Sequence, residues 1–281
     1  MSKQTDYDKL GILGVEIDAI SNADAIEYIV TRATPGQQSA TVIKPYVEFL
    51  DRAFTSDEIK DLLNNAWLSV ADGVALTWAA AYLYAGRRTA LRFWQTLFQI
   101  VLAPGRLKWP LPDRAAGVNF TWPLLSTASL HGLRVYVIGK ESKPSIAAVA
   151  ERIIEKIPEL LIVGSKSGRD ESSKYGQVSD AWLDETASSI KHAKADLVLV
   201  GMGFPLQDRV CAYLADHIDH GVFIGEGGTF DFDSFGGSMK RAPEWAQRLG
   251  LEWLWRLIIQ PARIRRQMAI PRFIYRVWRS R

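Results

Sequence analysis

Short runs of aliphatic and β-branched residues alternate along this chain with stretches whose apolar residues recur at helical spacing. The runs predict strands, and they read LGILGVEI, SATVIK, AWLSV, LRVYVIG, LLIVG, DLVLVGMG and GVFIGEGG. This alternation predicts an α/β fold, with a Rossmann-like, mostly parallel sheet flanked by helices. Ligands of such folds bind at the carboxyl ends of strands. We therefore expect the site among the loops that begin near Lys44, Ala71, Gly139, Gly201 and Gly225.

Two segments depart from the alternation. Residues 87–112 begin with three arginines in six residues and continue with large apolar residues. They predict either an amphipathic hairpin that adds membrane contact or a helix packed on the protein body. Residues 241–281 hold ten arginines, no lysine and two glutamates, a net charge of +8 that leaves −5 on residues 1–240. We predict a Rossmann-like body over 1–240 and a C-terminal appendage over 241–281 with an anionic partner, either nucleic acid or a membrane surface.

Length and composition constrain the size of the core, the cellular compartment and the presence of membrane-spanning segments. With 281 residues, of which 48% are hydrophobic, the chain can bury a sizeable core. The single cysteine, Cys211, excludes an intramolecular disulfide and fits a reducing, cytoplasmic compartment. We expect no secretory signal in the first residues. We also expect no membrane-spanning helix, because no run of about 18 apolar residues occurs.

Two loops carry candidate chemistry at predicted strand ends. In VADGVALTW, Asp72 stands between a strand and a helix, where it can cap the helix or act as a general base. In VGMGFPLQD, Gly201 and Gly203 give G-x-G, but Leu206 occupies the place of the third glycine of a dinucleotide fingerprint. We therefore expect no nicotinamide cofactor there, and instead a loop that brings a phosphate or a sugar close to backbone.

Acidic and histidine pairs suggest metal ligands only weakly. Asp231 and Asp233 form a D-x-D pair that could hold a cation bound to a nucleotide diphosphate, or could cap a glycine-rich turn. His217 and His220 are three residues apart and would share one face of a helix. No third group completes either set, so we predict no metal site.

The appendage has the pattern of a basic, aromatic helix. At 100° per residue, Arg256 and Arg263 fall within about 20° of each other, and Arg266 lies one turn further. Pro261 is expected to kink or split this helix. Arginine suits bidentate phosphate contacts and tryptophan suits a membrane interface, so the segment is typical of an element lying on an anionic bilayer. A solvated basic face is the alternative.

Several spaced motifs, in order along nearly the whole chain, resemble the WecG/TagA/CpsF glycosyltransferases (glycosyltransferase family 26). The most specific block holds G-G-x-F-D, G-x-x-x-R-A-P, G-L-E-W-x-x-R and P-x-R-x-x-R. The others are LGILGVEID, LLNNAWLSVADGVAL, DRAAGVNF, LRVYVIGK and DLVLVGMGFPLQD. The resemblance implies an inverting transfer of a sugar, often of N-acetylmannosamine type, from a UDP-sugar to an undecaprenyl-diphosphate-linked sugar. The transfer takes place at the cytoplasmic membrane face, with neither cofactor nor metal.

The resemblance also implies roles for single residues. Asp72 would be the general base, and Arg256, Arg263 and Arg266 would close over the site and bind diphosphate. Gln207 would line the same pocket. The further substrate-binding positions that we predict are Lys44, Tyr46, Gly73, Arg114, Asn119, Gly139, Gly203, Gly227, Gly228 and Asp231.

Departures from the family pattern affect the predicted donor. Lys44-Pro45-Tyr46 stands where the family commonly has T-x-N, Lys140 replaces the second glycine of a G-G pair, and Asn119 replaces an aspartate. A cation at position 44 suggests an acidic donor sugar or a phosphate contact. Three readings follow: the membrane-associated transferase, a nucleotide-sugar-binding protein without catalysis, and, least supported, a nucleic-acid-binding protein. We expect no nucleic-acid partner and leave a homo-oligomer open.

Overall fold

The structure is a computed structural model, and it describes residues 7–84, 86–102, 109–115, 117–140, 144–168, 178–244, 246, 252–259, 261 and 264–280. The chain forms two compact units. The first comprises Met1–Asn22, Lys44–Ala116 and Arg241–Arg281, and the second comprises Ala23–Ile43 and Gly117–Lys240. The predicted boundary near residue 240 coincides with the end of the second unit, whereas the appendage groups with the first. Helices and strands are numbered below along the whole chain.

The first unit opens with an antiparallel hairpin of β1 (Lys9–Ile12) and β2 (Val15–Asp18). Our prediction of one strand over LGILGVEI is therefore wrong. Leu13 and Gly14 form the two-residue turn, with φ of 51° and 85°. Positive φ at both central residues matches the right-handed twist of paired strands. On either side of the turn, alternate residues face inward, so Ile12, Val15 and Ile17 are buried.

Helices make up most of the rest of the first unit. They are α2 (Val47–Ala53), α3 (Asp57–Asn64), α4 (Val74–Tyr84), α5 (Ala90–Leu102), α10 (Glu252–Ile259), α11 (Ile264–Gln267) and α12 (Ala269–Arg279), with the short strand β4 (Leu68–Ser69) before α4. Helix α4 is apolar on nearly every face and central to this unit. Both α5 and α12 pack on it, through contacts of Trp78 with Phe93 and Phe273. In its described part, segment 87–112 holds one packed helix rather than a hairpin.

The second unit is the predicted α/β sheet. Its strands are β3 (Ala40–Ile43), β5 (Arg134–Lys140), β6 (Leu161–Gly168), β7 (Leu197–Gly201) and β8 (Val222–Gly225). They lie in the order β3-β8-β7-β5-β6, and each pair is parallel. The helices are α1 (Asn22–Arg32), α6 (Gly117–Leu130), α7 (Ile146–Lys156), α8 (Asp180–Ala193) and α9 (Leu206–His217). This confirms a Rossmann-like architecture.

The central strand β7 is buried on both faces of the parallel sheet. Leu197, Val198, Leu199 and Val200 are all inaccessible to solvent, as expected of a strand covered by helices on both faces. The register then aligns the glycines that end three adjacent strands, because Gly139 pairs with Gly201 and Gly225 pairs with Val200. Across the described part of the chain, no helix has the length and apolarity needed to cross a membrane.

Candidate active site

Three predicted site segments meet within the first unit, around the loop Ala71-Asp72-Gly73. The Asp72 amide donates to the carbonyl oxygen of Pro45 at 2.8 Å, which joins this loop to Lys44 and Tyr46. The Ala115 amide donates to the Ala71 carbonyl at 2.7 Å, which brings in Arg114. Residues far apart in sequence are thus fastened by backbone hydrogen bonds. Of the strand-end loops in which we expect the site, those that begin near Lys44 and Ala71 are thus joined by a backbone hydrogen bond.

Asp72 occupies a position suited to an ionised carboxylate. It is partly exposed and lies two residues before the first residue of α4. The positive end of a helix dipole favours negative charge there. Gly73 follows with φ of 87°, a conformation that favours glycine, and a methyl group added to it would have no atom within 4 Å. The loop therefore leaves open space at Gly73, the residue next to Asp72.

The Lys44-Pro45-Tyr46 segment is more enclosed than Asp72. Lys44 is only 6% exposed, and lysines are rarely so buried unless their ammonium has partners. The Tyr46 hydroxyl donates to the Glu48 carboxylate, and the Tyr46 ring packs on Phe49 at 4.8 Å between centroids. These contacts fix the orientation of Tyr46. At the other edge of the loop, the Arg114 carbonyl accepts a hydrogen bond from Asn22 Nδ2 at 2.9 Å.

Gln207 fastens two glycine loops at the carboxyl edge of the sheet in the second unit. Its Oε1 accepts hydrogen bonds from the amides of Gly203 at 3.0 Å and Gly227 at 2.8 Å. The residue is 2% exposed, and a methyl group on Gly225 would lie 2.8 Å from its Nε2. The side chain that we predicted to line the pocket therefore also holds the loop after β7 against the loop after β8.

The glycines at this edge divide into two kinds. Gly203 and Gly227 have φ of 78° and 61°, so their loops need glycine, and Gly228 lies in the same turn as Gly227. A methyl group on Gly203 would lie 3.4 Å from Lys140 Nζ, so an ammonium stands over that loop. Gly139 has a packing role, because a methyl group there would lie 2.6 Å from Ile146 Cδ1 of α7.

The sequence analysis did not predict a buried acidic residue at this edge of the sheet. Glu226 follows β8 directly, and its Oε2 accepts a hydrogen bond from Thr121 Oγ1 of α6 at 2.6 Å. Asp208 in α9 is equally buried. Burial, followed by the negative charges of Asp208 and Glu226, raises the pKa of the Cys211 thiol well above its ordinary value. An acidic residue immediately after a fully apolar strand was the available signal for Glu226. Asn119, by contrast, is exposed on α6.

The D-x-D and histidine pairs have structural contacts. The Asp231 carbonyl accepts from the Met239 amide at 2.9 Å, and the Asp233 amide donates to the Met239 carbonyl at 2.9 Å, so both close a turn. The His217 ring stacks on Tyr213 at 3.9 Å, while His220 Nε2 lies 2.9 Å from Asp196 Oδ1. Over the residues that the structure describes, no three His, Cys, Asp or Glu side chains group as metal ligands.

The structure describes the three arginines predicted to bind diphosphate only in part. Arg263 lies outside the described residues, and for Arg256 and Arg266 only the helical backbone of α10 and α11 is described. Their predicted role therefore stays a prediction.

Two other arginines of the appendage have defined partners. Arg272 Nη2 and Arg276 Nη1 donate to the Asp51 carboxylate of α2 at 2.7 and 2.6 Å. The hydrogen bond and the charge of Asp51 raise the pKa of Arg272 above its usual value. We call this group the Asp51 clamp. It fixes α12 to α2.

Parallel sheets with glycine loops at their carboxyl edge commonly bind phosphorylated or nucleotide-linked ligands, and a carboxylate at a helix start can serve as a general base. Comparison with known proteins makes the class specific. The chain belongs to the glycosyl transferase WecG/TagA/CpsF family, whose model matches residues 10–100 and 98–281. The family resemblance and the enzyme class predicted from sequence are thereby confirmed. The two matched stretches meet inside α5.

Similar proteins carry one name, N-acetylglucosaminyldiphosphoundecaprenol N-acetyl-beta-D-mannosaminyltransferase. The protein from Bacillus subtilis (strain 168) is 34% identical over 163 residues, which cover 58% of this chain and 59% of that relative. The protein from Staphylococcus aureus (strain NCTC 8325 / PS 47) is 26% identical over 274 residues, which cover 97% of this chain and 93% of that relative. The similarity to the second therefore extends over almost the full length of both chains.

Proposed function

We propose that this glycosyltransferase moves a sugar from a UDP-sugar to a polyprenyl-diphosphate-linked sugar, with inversion, in cell-surface polysaccharide synthesis. The observation that carries the proposal is the meeting of Lys44, Asp72 and Arg114 around one loop at the start of α4. The relatives' shared name supports the acceptor, since it specifies a sugar linked to undecaprenol through a diphosphate. N-acetylmannosamine, a related hexose or a uronic acid is the proposed transferred group.

In the proposed reaction Asp72 is the general base. Its carboxylate takes the proton of the acceptor hydroxyl, and the resulting oxygen attacks the anomeric carbon of the donor. The bond from that carbon to the UDP oxygen breaks on the opposite face, so the configuration inverts and UDP leaves with the bonding electrons. Charge that develops on the leaving diphosphate is stabilised by guanidinium groups, for which Arg256, Arg263 and Arg266 are the candidates. The proposal assigns no step to a metal or a cofactor.

The loops at the carboxyl edge of the sheet would bind the donor. Gly203, Gly227 and Gly228 offer backbone without side chains, and Lys140 supplies a positive charge beside Gly203. Such a combination suits a phosphate or sugar hydroxyl close to amide groups. Gln207 would keep the two loops at a fixed separation through its shared Oε1.

We propose that the enzyme acts at the cytoplasmic face of the membrane. A polyprenyl acceptor is held in the bilayer by its lipid, so the enzyme must reach the headgroup layer. The net charge of +8 on residues 241–281 favours an anionic surface.

Replacing Asp72 with Asn tests the proposed base. We expect turnover to fall by about 10²–10⁴-fold, the usual contribution of general base catalysis, while the Kd for UDP stays near that of the wild type. Asp57→Asn is the matched control, because Asp57 also lies at a helix start but is exposed. The assay is UDP release with a short-chain polyprenyl-diphosphate-sugar acceptor. Wild-type turnover by the Asp72 variant would disprove the assignment.

A donor screen tests the substrate. The buried Lys44 and the Tyr46–Glu48 pair favour a donor other than the family's usual one, so neutral and acidic UDP-sugars are compared at equal concentration. Faster release from a UDP-uronic acid would support an ionic role for Lys44. UDP binding without release from any donor would instead favour the nucleotide-sugar-binding alternative.

A further inference from the structure

Helix α5 exposes a row of large apolar side chains. Leu91, Trp94 and Phe98 are 69%, 59% and 65% exposed, and their spacing of three and four residues places them on one face. We call this row the α5 stripe. Single exposed apolar residues are common on protein surfaces, but an aligned row that includes Trp and Phe marks an interaction surface.

The opposite face of α5 holds the helix firmly, so the stripe is displayed on a fixed element. Phe93 packs edge-on against Trp78 of α4, with centroids 5.6 Å apart. The Trp78 indole donates to Thr96 Oγ1 at 3.1 Å, and Arg92 Nη2 donates to the Ala81 carbonyl at 3.1 Å. Because the buried face already satisfies the packing of α5, the stripe has no role in the core.

Helix α12 extends the apolar surface beside the stripe. Trp278 and Tyr275 are both about half exposed, and their rings lie 6.3 Å apart. Trp278 also contacts the Phe93 ring at 5.9 Å, and Phe93 contacts Trp94 at 5.4 Å. A continuous series of ring contacts therefore runs from the stripe to the C-terminal helix.

The charged side chains on α5 and next to it in sequence are basic. From Asp72 to Asp113 the sequence has no acidic residue between them, while it has Arg87, Arg88 and Arg92 at the start of α5. Arg87 and Arg88 are exposed, and Arg88 Nη1 donates to the Ser280 carbonyl at 3.2 Å, which places basic side chains at the end of α12 as well. A rim of this kind complements an anionic partner.

We propose that the α5 stripe, with Tyr275 and Trp278, inserts into the interfacial layer of an anionic bilayer. The inference rests on the proposed function, whose acceptor is lipid-linked. With 13 residues α5 is too short to span a bilayer, which needs about 20, but its apolar face and basic start suit a helix lying in the interface. A symmetric contact with a second copy would set one arginine rim against the other.

Vesicle sedimentation of the full chain tests the surface. Vesicles contain equal parts of phosphatidylglycerol and phosphatidylcholine, or phosphatidylcholine alone. We expect the double variant Trp94→Ser, Phe98→Ser to partition at least about tenfold more weakly into the anionic vesicles. The matched control is Leu130→Ser, Leu161→Ser, whose residues are also exposed and apolar, and it should bind like the wild type. Wild-type binding should weaken with added salt.

Each outcome decides the proposal. Equal binding of the stripe variant and the wild type to anionic vesicles overturns it. A wild-type chain that does not bind anionic vesicles overturns it as well. Equal binding to phosphatidylcholine alone overturns the assignment to anionic lipid. Light scattering that shows a wild-type dimer and a monomeric stripe variant, with unchanged vesicle binding, would assign the stripe to a second copy instead.

Turnover separates this inference from the proposed function. With a water-soluble short-chain acceptor the stripe variant should keep wild-type turnover, and with acceptor in vesicles it should lose most of it. If the wild type transfers sugar to neither acceptor, the proposed function fails. The sedimentation result still decides the membrane surface.

Discussion

Substituting Ala for Asp51 tests whether the Asp51 clamp holds the C-terminal helix in place. The carboxylate accepts hydrogen bonds from Arg272 Nη2 at 2.7 Å and from Arg276 Nη1 at 2.6 Å. Arg276 also donates to the Asp51 main-chain carbonyl at 2.9 Å, a contact that alanine keeps. The substitution therefore removes every hydrogen bond that the carboxylate accepts, including those from Arg272 Nε at 3.1 and 3.3 Å, and leaves one neutral acceptor.

The magnitude follows from how deeply each partner is buried. The Asp51 side chain is 8% exposed and that of Arg276 is 19% exposed, so this pair is largely removed from water. Breaking a buried pair costs about 3–5 kcal/mol. Arg272 is 52% exposed, so solvent screens its ion pair with Asp51. That pair contributes about 0–1 kcal/mol. Because Arg276 keeps the main-chain acceptor, we expect a total loss of about 2–4 kcal/mol.

Hydrogen exchange measures this loss where it occurs. Amides of Phe273 to Val277 in α12 should exchange about 30-fold to 1,000-fold faster in Asp51→Ala, which corresponds to the expected loss at 1.4 kcal/mol per factor of ten. Glu155→Ala is the control, because it breaks the exposed Arg152–Glu155 ion pair and should cost less than about 1 kcal/mol. Unchanged exchange in α12 would refute the clamp as the element that holds this helix.

Two further predictions concern buried groups of the second unit. Gln207→Leu removes the acceptor shared by the Gly203 and Gly227 amides, so UDP should bind at least about tenfold more weakly in calorimetry. Wild-type affinity in the Leu variant would contradict the loop-holding role. The Cys211 thiol should resist thiol reagents until the chain unfolds, because burial raises its pKa. The unfolded thiol ionises near its ordinary value of 9.0 while the folded thiol stays protonated, so its contribution to stability is complete below that pH and is lost above it. Denaturation at pH 7 and pH 10 should show a smaller loss in Cys211→Ala than in the wild type, and an equal loss would contradict the assignment.

The parallel sheet was predictable because its inner strands are buried on both faces. Runs such as LVLV at residues 197–200 contain no polar residue that would suggest an alternating strand, and the glycine that follows marks the strand end. The hairpin of β1 and β2 was missed because its turn uses Leu13 at positive φ. The usual Asn-Gly or Asp-Gly signal is absent there, and alternation on either side reads as one continuous strand.

Only those parts of the candidate site that lie at strand ends could be predicted from the sequence. Asp72 and the Lys44-Pro45-Tyr46 segment follow apolar runs directly, and backbone hydrogen bonds do bring them together. The Asp51 clamp joins residues 221 positions apart, and neither charge pattern nor periodicity identifies such a pair. For the same reason, sequence treats all tail arginines alike, whereas the structure gives Arg272 and Arg276 a defined carboxylate partner.

The order of synthesis on the ribosome sets when each unit can close. Phe273 is fully buried against Trp78, so the first unit lacks part of its core until residue 273 has been synthesised. The second unit ends at Lys240 and has all its strands earlier. A nascent chain therefore completes the sheet of the second unit first and carries an open aromatic face on α4 until α12 has been synthesised, and truncation before Phe273 would leave that face uncovered.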